Sequence, residues 1–128
     1  DLGFKTQDRI ENIRRLGYLS KYFVDAGLIT LVSAISPFQS ERNNVRNMLE
    51  PLEFIEIYVK TSLETCMERD PKNIYEKYKK GEVSNLTGVD SLYEPPLTPE
   101  IVVDTEIESA ENLADQIIDY VIKLQGSK

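Results

Sequence analysis

The chain has 128 residues, 41% of them hydrophobic and 29% charged, with a formal net charge of −7. That length buries a real core within one domain. The acidic balance excludes a general nucleic-acid or membrane-surface binder, whose footprint is basic. Histidine is absent and Cys66 is the single cysteine, which removes histidine triads, a histidine general base, most zinc sites and any disulfide within the chain. One cysteine fits a reducing, cytoplasmic compartment. No apolar run approaches membrane-spanning length and no signal peptide is visible. The chain opens on Asp1 rather than Met, so a processed or trimmed segment is expected before it.

Thr6 is the expected N-cap of a first helix, with Ile10, Ile13, Leu16, Leu19 and Phe23 on one face and Gly27 as its stop. Arg9 and Asn12, three apart, share a face at its N-terminal end; on spacing alone the first reading of that face is a solvated polar one. Leu28 to Ala34 is a short apolar run rich in β-branched residues, which predicts a strand buried on both faces of a parallel sheet. Ligands bind at the carboxyl ends of such strands, so chemistry is expected at Ile35, Ser36 and the residues just after them. A helix is predicted around Ser40–Leu49, ended by Pro51. Phe54–Val59 is a second strand. Thr61 with Glu64 forms a capping box for a helix running to Arg69.

Asp70-Pro71-Lys72 breaks the pattern. Asn73–Lys80 is a short helix closed by Gly81, and Glu82–Pro99 is a long aperiodic segment whose turn residues and embedded apolar residues favour an ordered lid. A brief strand, Ile101–Val103, precedes a last helix capped by Ser109. Alternation of strand and helix at these spacings predicts an α/β fold with a parallel sheet.

Basic residues ahead of a lid suit a nucleotide-dependent phosphotransferase, in which cations neutralise the moving phosphate and the lid excludes water. The phosphate-cradling signature GxxxxGK[ST] does not occur in the chain. A signalling-receiver module is a weaker alternative, because no carboxylate stands at the ends of the first two strands.

Seven strings stand in one order: LGF at Leu2–Phe4, DRIENIRR at Asp8–Arg15, DAGLI at Asp25–Ile29, ISPF at Ile35–Phe38, ERDPKNIYEKYKKGE at Glu68–Glu82, LTGVDSLYEPP at Leu86–Pro96 and PEIVVDT at Pro99–Thr105. Together they resemble the adenylylsulfate kinase (APS kinase) family across essentially the whole chain. The resemblance implies a three-layer α/β/α, P-loop NTPase-like fold. It implies transfer of the ATP γ-phosphate to the 3′-hydroxyl of adenosine 5′-phosphosulfate, with Mg2+ as the ATP-side ion. It places the P-loop strand and an Asp-Gly-Asp-Asn segment before Asp1. The fold is therefore expected to be incomplete: residues 1–128 as the C-terminal part of the domain, the lid at about 70–99, and no stable activity from these residues alone.

The resemblance also implies roles. Phe4 stacks on the substrate adenine, and Arg9 and Asn12 bind the phosphosulfate and ribose end. Ile35 and Ser36 line the site, Ser36 being also a possible phosphate acceptor. Asn85 and Leu86 close over the substrate, Lys72 reaches the phosphates from the lid hinge, and Arg69 lies over the ATP adenine. Lys77, Lys79 and Lys80 are lid cations or, equally, a solvated helix face. No metal ligand falls within the chain. Partners implied are adenosine 5′-phosphosulfate, ATP, a second copy in a homodimer, and ATP sulfurylase; nucleic acid and membrane are not. A non-catalytic kinase-like nucleotide-binding or regulatory module is the alternative. The chain departs from the family pattern at Leu86, where phenylalanine is usual, at Asn85 for glycine, Gln39 for arginine, and Tyr78 and Lys80 for alanine. Leucine keeps apolar contact but loses ring stacking.

Overall fold

The computed structural model describes residues 2–3 and 5–126. The adenine-stacking role expected of Phe4 lies outside them. The chain forms two compact units, one of Asp1–Phe54 with Ser84–Pro95 and one of Ile55–Val83 with Pro96–Lys128.

The first unit is built on two helices, α1 (Thr6–Asp25) and α2 (Gln39–Arg46). The cap of α1 is Lys5, one residue before the expected Thr6; the Asp8 carboxylate accepts the Lys5 N–H at 3.3 Å. Asp8 also places negative charge at the positive end of the helix dipole. Gly27 ends α1 as expected. Its φ of 81° is costly for a side chain, and it lets Leu28 N–H reach the Phe23 carbonyl at 3.0 Å. Ile13 is buried on the inner face of α1. Gly17 marks the closest approach of the two helices: a Cβ there would stand 2.8 Å from Val45 Cγ2.

Leu28–Ala34 corrects an expectation. The run forms no ladder among the described residues, and its apolar side chains are exposed, Leu31 by 86%. Composition reports that a segment suits a strand; hydrogen bonding to a neighbour makes it one. No described strand lies alongside this run, so it carries the sequence of a buried strand without its pairing.

The second unit is α/β. Strand β1 (Ile57–Lys60) pairs in parallel with β2 (Ile101–Asp104), Ile57 opposite Ile101 and Lys60 opposite Asp104. The strand starts at Ile57 rather than at the expected Phe54, whose ring centroid lies 4.6 Å from the Arg46 guanidinium carbon. Glu56 already joins the neighbouring strand, its N–H donating to the Glu100 carboxylate at 2.7 Å. Between the strands run α3 (Leu63–Arg69) and α4 (Ile74–Lys79), and α5 (Ala110–Gly126) comes after β2. The cap of α3 is Ser62, whose Oγ accepts Thr65 N–H at 3.2 Å, rather than Thr61. The Thr61 hydroxyl instead bonds that of Thr105. Ser109 caps α5 as expected, accepting Asn112 N–H at 3.3 Å. Val103 of β2 and Leu113 of α5 are both buried, and the two elements pack together. No helix among the described residues is long and apolar enough to cross a membrane.

Candidate functional site

In the first unit two loops converge on the expected site residues, and each turns on a strained residue. Ser36 has φ 44° and Asn85 has φ 59°. Such left-handed conformations cost on the order of 1 kcal/mol or more outside glycine and recur at functional sites. An arginine grips the carbonyl of each. Arg42 Nη1 donates to the Ser36 carbonyl at 2.7 Å. Arg9 Nη2 donates to the Asn85 carbonyl, and Arg9 Nη1 to the Thr87 hydroxyl.

The 84–95 loop is ordered from within as well. The Asp90 carboxylate accepts Asn85 N–H at 3.1 Å, and the Leu86 carbonyl accepts the N–H groups of Val89, Asp90 and Ser91 at 3.0–3.2 Å. Leu86 therefore sits on a tight turn. At the loop's far end Glu94 is held three ways. Its N–H donates to the Pro37 carbonyl (2.8 Å), its carboxylate accepts Gln39 N–H (2.6 Å) at the start of α2, and its carbonyl accepts Arg42 Nη2 (2.7 Å).

The structure thus brings Arg9, Ser36, Asn85 and Leu86 into one unit. Ile35 is exposed just before Ser36, and Asn12 is exposed one turn along α1 from Arg9. Arg14 and Arg15 do not join the anion-binding candidates. Both bind Glu11, at 2.6 and 2.7 Å, and hold its carboxyl down at about 2, the Arg14 hydrogen bond contributing most.

Lys72 and Arg69 belong to the second unit. Lys72 is exposed on a turn, Asp70-Pro71-Lys72-Asn73, closed by Asn73 N–H to the Asp70 carbonyl at 2.9 Å. Proline at the second position presets that turn. The Asp70 carboxylate accepts three N–H groups, those of Ile74, Tyr75 and Glu76, at 2.7–3.1 Å, so turn and α4 are fixed together. Arg69 donates to the Thr105 hydroxyl and carbonyl, both at 2.8 Å, just beyond the carboxyl end of β2. That is the edge at which parallel sheets bind ligands. Among the lid cations, Lys80 is paired with Glu76 at 2.6 Å on an exposed face, the solvated reading of that residue.

Arg42, Glu94 and Thr87 carry structural weight that the sequence did not announce. The bonds of Glu94 to Arg42 and Gln39 span 52 and 55 residues, so no local spacing relates them. Asp70 was discoverable: a carboxylate ahead of a Pro-x-Asn turn and a helix is a capping signal. Gln39, one of the departures from the family pattern, accepts Arg42 Nη2 through its side-chain oxygen at 2.8 Å, a bond an arginine could not accept. Among the described residues no three His, Cys, Asp or Glu side chains converge.

The family model described as adenylylsulphate kinase matches residues 1–104. The adenylyl-sulfate kinase of Oceanobacillus iheyensis is 56% identical over 121 residues, 94% of this chain and 61% of the relative. That of Staphylococcus carnosus is 53% identical over the same shares. The solved Mycobacterium tuberculosis APS kinase, in complex with AMPPNP and APS, aligns with a TM-score of 0.85 at 36% identity, covering 93% of this chain and 69% of that one. The chain spans about three fifths of the length of the curated relatives it matches. Matches this long take in both loops of the first unit and both strands of the second, and on that ground the chain belongs to the adenylylsulphate kinase family.

Proposed function

We propose that the protein carrying this chain transfers the γ-phosphate of ATP to the 3′-hydroxyl of adenylyl sulfate, making 3′-phosphoadenosine 5′-phosphosulfate for sulfate assimilation. The observation that carries this reading is the 56% identity to a named adenylyl-sulfate kinase over 94% of the chain. The neighbour solved with AMPPNP and APS supports both nucleotides as ligands.

In this reading the first unit receives the sulfated nucleotide. Arg9 orders the Asn85–Thr87 turn and offers its charge to the phosphosulfate, and Asn12 bonds the same end. Ile35, Ser36, Asn85 and Leu86 wall the site, and Phe4 stacks on the adenine. The Ser36 hydroxyl is a side acceptor of phosphate, not a requirement of transfer. In the second unit Lys72 approaches the phosphates from its rigid turn, and Arg69 covers the ATP adenine. Phosphoryl transfer asks a protein mainly to position and to neutralise charge, and these residues do both. Magnesium would arrive with ATP and neutralise its phosphates. Residues 70–99 act as the lid. A homodimer, contact with ATP sulfurylase and a cytoplasmic setting belong to the same proposal.

Calorimetry on the intact protein with adenylyl sulfate and with ATP, beside a direct assay of product, tests it. Binding of both with turnover supports the kinase. Binding of adenylyl sulfate without turnover would mark a non-catalytic module.

A further inference from the structure

Arg42 is 6% exposed, although its helix is otherwise strongly polar. Burying a guanidinium is unfavourable unless its donors are met. The two Nη groups of Arg42 find three acceptors: the Ser36 carbonyl, the Gln39 side chain on its own helix and the Glu94 carbonyl. Glu94 returns the connection, its carboxylate capping α2 at Gln39 and its N–H bonding Pro37. Pro37 has no N–H of its own and a fixed φ, so its carbonyl is its one backbone hydrogen-bonding group, and Glu94 N–H takes it. Loops 35–38 and 84–95 are thereby laced to the first turn of α2 at one point.

We propose that Arg42, together with Glu94, is a positioning residue of the adenylyl sulfate site. It holds Ser36 in its left-handed conformation and fixes the 84–95 loop, so that the Ile35-Ser36 edge and the Asn85-Leu86 turn face the nucleotide at a set separation. The proposal rests on the site reading given above. Arg42 itself lies behind the two loops and acts through them. The fork geometry of a guanidinium is what the task needs, since one planar group donates to two separate carbonyls. Lysine keeps the charge but carries its three N–H donors on one nitrogen, which cannot span both carbonyls as the fork does.

Arg42→Lys in the intact protein is the test. The KM for adenylyl sulfate rises about tenfold, as expected for loss of a hydrogen bond to a charged group, while kcat and the KM for ATP change less than about twofold. Amide exchange at Ser36, Phe38 and residues 85–91 accelerates in the folded protein, with exchange in α5 unchanged. A lowered melting temperature with both KM values and these exchange rates unaltered would overturn the proposal, as would an equal rise in both KM values. Glu94→Gln, which keeps an acceptor for Gln39 N–H, serves if Arg42→Lys does not fold. It shifts the same KM and the same amides in the same direction by a smaller factor, and no shift overturns the proposal. If the parent protein makes no product, the kinase reading fails, and the exchange measurement still decides whether Arg42 sets the two loops.

Discussion

Arg9 and Leu86 carry the sharpest consequences at the level of single side chains. Arg9 is tied to Asn85 and Thr87 by donors from one guanidinium. Its replacement by alanine removes both the charge and the loop's anchor. Arg9→Ala is expected to weaken adenylyl sulfate binding by about 2 kcal/mol or more, some thirtyfold, with ATP affinity nearly unchanged, as read by calorimetry. Equal losses for both nucleotides would mean that Arg9 is misassigned. Leu86 sits on a preformed turn, so a larger side chain there meets an ordered backbone. Leu86→Phe restores an aromatic face for the adenine and is expected to tighten adenylyl sulfate binding by about 1 kcal/mol, roughly fivefold. A competition titration reads that directly, and weaker binding would show that the turn does not face the ring.

Among the elements, the α1–α2 contact at Gly17 is the tightest packing constraint. An added methyl meets the branched Val45 side chain at 2.8 Å, so the helices must separate. Gly17→Ala is expected to cost about 1–3 kcal/mol despite the better helix propensity of alanine, measured by denaturant unfolding. At the start of α3, hydrogen bonds from the Ser62 side chain first, then Thr65, hold the Glu106 carboxyl down at about 2, from an ordinary 4.5. A depressed carboxyl favours the folded form where it is ionised. Its contribution is therefore whole above the ordinary glutamate value and fades as pH falls from about 4.5 towards about 2. Glu106→Gln should flatten the local pH dependence of amide exchange around Ser62–Thr65 over that range; an unchanged profile would remove Glu106 as its source. The helices were largely legible from their stops and caps, Gly27 and Ser109 above all. The strand expected at Leu28–Ala34 does not form among the described residues, because a ladder depends on a second segment that no local pattern names. The one-residue shifts at Lys5 and Ser62 have a similar origin: which hydroxyl or carboxylate caps a helix depends on what its neighbours already bond.

At the scale of the whole chain, the two units divide the proposed labour. The first carries Arg9, Asn12, Ile35, Ser36, Asn85 and Leu86; the second carries Arg69 and Lys72. Ordered strings in the sequence named these candidates. They did not reveal most of what holds them, since the Arg9 bonds span 76 and 78 residues and those of Glu94 to Arg42 and Gln39 span 52 and 55. The central claim is that these residues serve phosphorylation of a sulfated adenosine nucleotide. The measurement that reaches it most directly is a product assay of the intact protein with ATP, magnesium and adenylyl sulfate. The account predicts a 3′-phosphorylated product, with Arg9→Ala raising the KM for adenylyl sulfate alone. A folded protein that binds ATP yet leaves adenylyl sulfate unphosphorylated would contradict it.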